Sequence, residues 1–334
     1  MDRLDLKPAM SQSVRRYALL KHAATLCALL VLAIISISAF IRLSNAGLGC
    51  ADWPQCYGRN IRQAQQGRAR NAADGPAVIA VRLLHRVAAF AALIVIVVMG
   101  LTCFAAEPVL WREGRMALAL LALALGLAVL GRWTSGARVP AVAVGNLLGG
   151  FAMLALSWRL RQRAGKPPQA PGPTRNWALV GVTVLLCQIA LGGLVSAAYA
   201  GLSCTGFPDC GGHSSPALSA QASLQAFNPW HEPVFLRQSP ENPAGAALHM
   251  AHRYGALAVL LVLVPLGVSL LVSGRRRAGA ALLSLLVLEA GLAVVLVISS
   301  LPLWAALAHN LGAALLLATT VGLLRPHSAA KEPI

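Results

Sequence analysis

Ala46-Gly47-Leu48-Gly49-Cys50 leads after five residues to Cys56, and Ala200-Gly201-Leu202-Ser203-Cys204 leads after five to Cys210. A His-Arg pair follows each copy, His85-Arg86 and then His252-Arg253. Farther along, Asn146-Leu147-Leu148-Gly149-Gly150 aligns with His309-Asn310-Leu311-Gly312-Ala313, and Gly126-Leu127-Ala128-Val129 with Gly291-Leu292-Ala293-Val294. One half of the chain is therefore written twice. Asn146 against His309 is the mismatch, and it predicts two related sites that no longer do the same work.

Between these landmarks the chain is apolar. Hydrophobic residues make up 57% and charged residues 12%. Long apolar runs lie near 23–41, 78–100, 115–131, 139–158, 177–198, 245–272, 278–299 and 303–323. Each run can cross a hydrocarbon core of about 30 Å as a helix. Lipid offers no partner to backbone N–H and C=O groups, so a helix that satisfies them internally is the expected form. The fold class that follows is an all-α integral membrane protein, with eight transmembrane helices as two pseudo-repeated four-helix bundles. The first half takes residues 1–158, a charged, proline-rich linker 159–176, and the second half 177–334. Both halves enter from the same side, which predicts parallel repeats about an axis along the membrane normal.

A net charge of +17 would suit a nucleic-acid binder, but its distribution does not. Basic residues gather in alternate loops: Arg15, Arg16 and Lys21 before the first helix, Arg159, Arg161, Arg163, Lys166 and Arg175 in the linker, and Arg275-Arg276-Arg277. That is the positive-inside pattern, and it predicts cytoplasmic termini. Arg59, Arg62, Arg68 and Arg70 in the first outer loop depart from it, as solvated decoration or as a docking face. No nucleic acid is expected as a partner; membrane lipid is.

Of seven cysteines, Cys27, Cys103 and Cys187 fall in or beside apolar runs and read as packing residues. The other four lie in the long outer loops, 42–77 and 199–244, on the oxidising side where disulfides persist. Cys50–Cys56 and Cys204–Cys210 bridges are expected, each closing a loop that holds Pro54 or Pro208. Metal binding fits them less well, because neither pair has the close spacing of a zinc site. Either pair can be a staple, and the first can also be a redox-active pair. Loops of such length are usually functional or disordered, and these two could act as lids.

The second, fourth, sixth and eighth helices all start from the outer side. His85, Asn146, His252 and His309 sit at similar depths in them, roughly 10 Å below the surface at about 1.5 Å per residue. His252 and His309 are then level on parallel helices. Two imidazoles so placed can hold a planar iron porphyrin, one on each face. The alternative is two histidines that merely cross-link helices by hydrogen bonds. Arg86 and Arg253 suit the first reading, as guanidinium partners for porphyrin propionates. His249 lies one turn before His252, where it could support a ligand or reach a propionate. His22 and His327 are expected in solvent at the inner surface, and His213 and His231 in outer loops.

These stretches, from Arg42-Leu43-Ser44-Asn45-Ala46 through Cys56 and from Ala200 through Cys210, together with both His-Arg pairs and His309, resemble the heme A synthase family over nearly the whole chain. The resemblance implies oxidation of the C8 methyl of heme O, the substrate, to the formyl group of heme A for terminal oxidases. It implies a heme b cofactor held by His252 and His309, with His85 as an iron ligand in a substrate pocket of the first half. It also implies a bacterial inner (cytoplasmic) membrane and an unidentified electron donor. Further partners would be a heme O-producing farnesyltransferase and terminal oxidase assembly factors; a homo-oligomer is compatible with the sequence.

Two positions depart from the family pattern. Arg82 stands where the family has Glu, one turn before the first-half His, and Asn146 where it has the fourth-helix His. A carboxylate can relay a proton, whereas an arginine near neutral pH cannot. His85 with Asn146 and Arg82 is thus the expected catalytic set, altered from the family's own. Two function classes follow: an active oxidoreductase with Asn146 leaving one iron face open, or a non-catalytic heme-binding relative acting in electron transfer, heme handling or oxidase assembly. A transporter is a third class, and Glu289, the one clearly intramembrane carboxylate, offers it little support.

Overall fold

A computed structural model describes residues 6–67, 76–134, 139–166, 173–210, 220–233, 235 and 242–324. Arg68, Arg70, His213, His327 and the Pro167-Pro168 and Pro171-Gly172 parts of the linker lie outside the described residues. The described residues are helical, in the order α1 (Leu6–Ala46), α2 (Arg59–Gln65), α3 (Pro76–Phe104), α4 (Trp111–Thr134), α5 (Pro140–Arg163), α6 (Pro173–Ala197), α7 (Ala220–Gln225), α8 (Ala246–Val272), α9 (Arg276–Ile298) and α10 (Leu303–Gly322). Eight of them, all but α2 and α7, are long and apolar enough to cross a membrane. The expected all-α membrane class is the observed one.

Prolines set several starts. Pro76, Pro140 and Pro173 are the first residues of α3, α5 and α6, where a missing N–H costs no intrahelical bond and the fixed φ is already helical. The structure makes the linker shorter than the sequence suggests. The basic stretch Arg159–Arg163 stays in α5 and Pro173 opens α6, because arginine is a good helix former and a helix may continue beyond the apolar zone.

Side chains along α3 show why lipid surrounds it. Ile79, Leu83, Val87, Phe90, Ile94, Val97 and Leu101 are all exposed, and their spacing of three and four residues draws one apolar stripe along the helix. In water such a stripe would be a liability; against hydrocarbon it is the expected outer face.

Helix α1 packs on α3 and α5, and α4 packs on the same two. In the second half α6 packs on α8 and α10, and α9 packs on the same two. Thus α3 and α5 lie diagonally, and so do α8 and α10. Contacts of α5 with α6 and of α10 with α1 and α5 join the halves. A single core runs through both, with Leu20, Phe151 and Leu160 in one half and Leu263 and Leu317 in the other. Small residues permit the closest approaches: a Cβ on Gly279 of α9 would come 2.7 Å from the Gly267 carbonyl of α8.

At the end carrying the disulfides, the two repeat copies meet. Arg42 of α1 donates to Ser196 Oγ of α6 at 2.6 Å. Leu43, Ala46, Leu48, Tyr57 and Leu202 form a small second core. Rings of Trp53, Tyr57, Tyr199 and Phe235 follow edge to face at 5.4–5.5 Å. The opposite, arginine-rich end is closed differently. Arg16 donates to the Thr102, Cys103 and Pro108 carbonyls, which caps the last turn of α3.

Candidate functional site

His252 lies six residues into α8 and His309 six into α10. At 1.5 Å per residue both are about 9 Å from their helix starts, on the diagonal pair of the second half. They are near enough to interact electrostatically. Each is held from its other side by a polar side chain that crosses from a neighbouring helix. Gln188 of α6 donates from Nε2 to the His252 carbonyl at 2.9 Å, and the same nitrogen is 3.5 Å from His252 Nε2. Glu289 of α9 brings Oε2 to 3.0 Å from His309 Nδ1. That is an ion-pair distance, but the alignment is not that of a hydrogen bond, and Nδ1 has no hydrogen-bond partner. A row Gln188–His252–His309–Glu289 therefore crosses the bundle through all four of its helices.

Glycines make room for this row. A Cβ on Gly192 would lie 2.8 Å from His252 Cε1. A Cβ on Gly255 would collide with Gln188 Oε1, and one on Gly312 with Glu289 Oε1.

The row is polar but incompletely paired. Gln188 Oε1, His252 Nδ1, Glu289 Oε1 and His309 Nδ1 are buried atoms without hydrogen-bond partners. Buried polar atoms are rarely left so, and a group of them in one place marks a site for something else. The donor set suits a porphyrin iron, which takes two imidazoles. A bare metal ion usually takes three or more protein ligands, and among the described residues no three His, Cys, Asp or Glu side chains converge on one point.

Arg253 adopts a different arrangement from the one read in the sequence. Its guanidinium donates to four loop carbonyls: Nη1 to Gly206, Asp209 and Pro208 at 2.8, 2.9 and 3.2 Å, and Nη2 to Cys204 at 3.0 Å. All four carbonyls belong to the segment closed by the Cys204–Cys210 disulfide. Only Nε is left without a partner. His249, buried at 7% exposure, holds its Nδ1 3.1 Å from the Ala200 carbonyl at the start of the same loop. One turn of α8 thus carries the candidate ligand His252 and two side chains that fasten the loop above it.

The first-half residues are arranged more loosely. His85 of α3 and Asn146 of α5 are half-buried on diagonal helices, and no hydrogen bond joins them. Arg82, one turn before His85, is half-buried, and Arg86 is exposed. Both expected disulfides are present, Cys50–Cys56 and Cys204–Cys210. Their loops also share a cis peptide at matched positions, Trp53-Pro54 and Phe207-Pro208.

The long second-half loop extends over the first half. The Pro229 carbonyl accepts from Ala141 N–H at the start of α5, and the Pro233 carbonyl accepts from Gln65 Nε2 of α2. Arg62 of α2 stands over the Phe235 ring at 5.6 Å. Pro229, Pro233 and Phe235 thus touch the start of α5 and the short helix α2 of the first half.

The sequence reading did not assign Gln188, and it gave Glu289, the one clearly intramembrane carboxylate, no place in the site. The available signal for Glu289 was a carboxylate in an apolar helix; Gln188 becomes visible only where α6 packs on α8.

A polytopic helical membrane protein with paired histidines between diagonal helices is thereby defined. The chain belongs to the family described as Cytochrome oxidase assembly protein (COX15-CtaA), whose model matches residues 21–321. It is 33% identical over 305 residues to a heme A synthase of Shewanella oneidensis, covering 87% of this chain and 91% of that protein. A heme A synthase of Methylobacterium radiotolerans is 30% identical over 363 residues, covering 92% and 91%. One of Neorickettsia sennetsu is 30% identical over 332 residues, covering 90% and 97%.

Proposed function

We propose that the chain is a heme A synthase, a membrane oxidoreductase that converts the C8 methyl of heme O to the formyl group of heme A during terminal oxidase biogenesis. The observation that carries this is the under-paired row Gln188–His252–His309–Glu289, in a chain whose relatives named heme A synthase match it over most of its length.

His252 and His309 are the residues that hold a heme b. When bound, that group supplies a one-electron relay. Gln188 and Glu289 orient the two imidazoles, and Arg253 and His249 keep the loop above them in place. The substrate heme O belongs to the first half, with His85 toward its iron and Asn146 opposite. Asn146 is a poor iron ligand beside imidazole and leaves room for oxygen chemistry on that face. Arg82 offers positive charge but no proton relay near neutral pH. The disulfide end faces the outside of a bacterial inner membrane, and the arginine-rich end with both termini faces the cytoplasm. The electron donor, a heme O-producing farnesyltransferase and oxidase assembly factors are the partners this activity requires.

A second reading rests on the same two residues. With Arg82 and Asn146 in the first half, the chain would be a heme-binding relative that uses only its second half. Purification from cells supplied with heme O distinguishes the two readings. The synthase binds heme b with a bis-imidazole spectrum that His252→Ala or His309→Ala abolishes, and yields heme A as well. The relative gives the same spectrum and no heme A.

A further inference from the structure

We infer that Glu289 is the positioning residue for His309: its carboxylate holds the His309 ring with the proton on Nδ1, leaves Nε2 for iron, and sets the potential of the heme bound there. This inference rests on the reading of His309 as a heme ligand.

The cost of this residue is the first argument. Glu113, in the first turn of α4, and Glu289 are the acidic residues of the eight spanning helices as described. Glu289 sits in the middle of α9, where an ionised carboxylate costs several kcal/mol unless something answers it. What lies at ion-pair distance is an imidazole nitrogen, His309 Nδ1, 3.0 Å away.

The second argument is the room made for it. Gly312 follows His309 by three residues on α10, so the two share a helix face. A Cβ at 312 would strike Glu289 Oε1. Helix α10 therefore presents to α9 an imidazole and, beside it, a recess for the carboxylate. Asn146 and Gly149 hold the corresponding places in the first half, where the side chain facing Gly149 is Leu127. The carboxylate is thus peculiar to the half that has His309.

The third is the incomplete pairing. Oε1 has no partner, and Nδ1 lies within reach of Oε2 but off hydrogen-bond alignment. With its proton on Nδ1, the ring would have its donor at hydrogen-bonding distance from this carboxylate, and Nε2 would be the nitrogen left for a metal. An imidazole that donates to a carboxylate is a stronger ligand and favours the more oxidised metal. Across the row, His252 faces the amide of Gln188, which carries no charge. The two ligands are therefore tuned unequally, with the anionic influence on the His309 side alone.

A purely structural cross-link between α9 and α10 would use the same contact, so the test needs a spectroscopic readout. Full-length protein is purified with its heme, and Glu289→Gln and Glu289→Ala are compared with the parent by redox titration, low-temperature electron paramagnetic resonance and heme-to-protein ratio. Glu289→Gln should keep its heme while its midpoint potential shifts positive and its g values change. Glu289→Ala should lose heme several-fold. Unchanged potential and g values in Glu289→Gln would overturn the inference, whatever happens to stability. His309→Ala separates the two layers. If the parent holds no heme, or His309→Ala keeps the parental spectrum, the ligand reading fails and takes this inference with it. If His309→Ala loses the spectrum and Glu289→Gln matches the parent, this inference alone fails.

Discussion

Arg253 donates from Nη2 to the Cys204 carbonyl at 3.0 Å, one residue after the candidate ligand His252. The guanidinium also reaches the Gly206, Pro208 and Asp209 carbonyls, so one side chain of α8 gathers four carbonyls of the disulfide-closed segment. Arg253→Ala removes these bonds together. Charge-assisted bonds contribute roughly 1.5–3 kcal/mol each when buried, and less here because part of the guanidinium is open to solvent. The expected loss is about 2 kcal/mol, seen as a lower unfolding temperature in detergent. Faster alkylation of Cys204 and Cys210 under mild reductant should accompany it. Arg253→Lys, without the planar fork, should recover only part of the loss.

Gly192 and Gly291 supply a matched comparison. A Cβ on Gly192 would lie 2.8 Å from His252 Cε1, whereas one on Gly291 would meet nothing within 4 Å. Gly192→Ala should displace the imidazole and lower the heme-to-protein ratio several-fold. Gly291→Ala should leave it unchanged and raise helix stability by up to about 1 kcal/mol. Pyridine hemochrome analysis of the two variants side by side checks both.

Much of this was legible in the sequence, and particular residues show why. The eight spans, both disulfides and the level placement of His252 and His309 follow from apolar run length and from one repeat. What joins the elements was not legible. Arg253 beside a candidate ligand reads as a propionate partner, since nothing in a sequence says that a loop 45 residues earlier will fold back onto it. Glu289 reads as a stray charge until α9 packs on α10 and brings it to His309. Gln188 gives no signal without the contact of α6 and α8.

Tyr57 gives the disulfide end a pH dependence. Its hydroxyl is buried between the two repeat copies, beside Tyr199 and the Gly201 backbone, and burial, then the neighbouring Tyr199, raise its pKa. Burial raises Tyr199 as well. A group whose folded pKa is raised favours its protonated form, so its contribution is complete below the ordinary tyrosine value of about 10 and is lost as pH rises above it. Tyrosinate absorbance should therefore show two of the four tyrosines ionising only with alkaline unfolding of the cap. Tyr57→Phe should move that transition to higher pH.

Arg82 and Asn146 can be tested by restoring the family pattern. If the first half already works as it stands, Arg82→Glu with Asn146→His should leave heme A formation unchanged or lower it, by closing the open iron face. A gain of activity from a silent parent would favour the non-catalytic relative. The ratio of heme A to heme O in extracts of cells carrying each form reads the outcome.

The most direct test is to supply the unaltered chain to a heme O-accumulating cell that lacks its own synthase, and to separate the extracted hemes by chromatography. Appearance of heme A, lost in His85→Ala, is the result expected. Heme O as the sole farnesylated heme, with the protein present in the membrane and carrying its bis-histidine heme, would contradict the assignment.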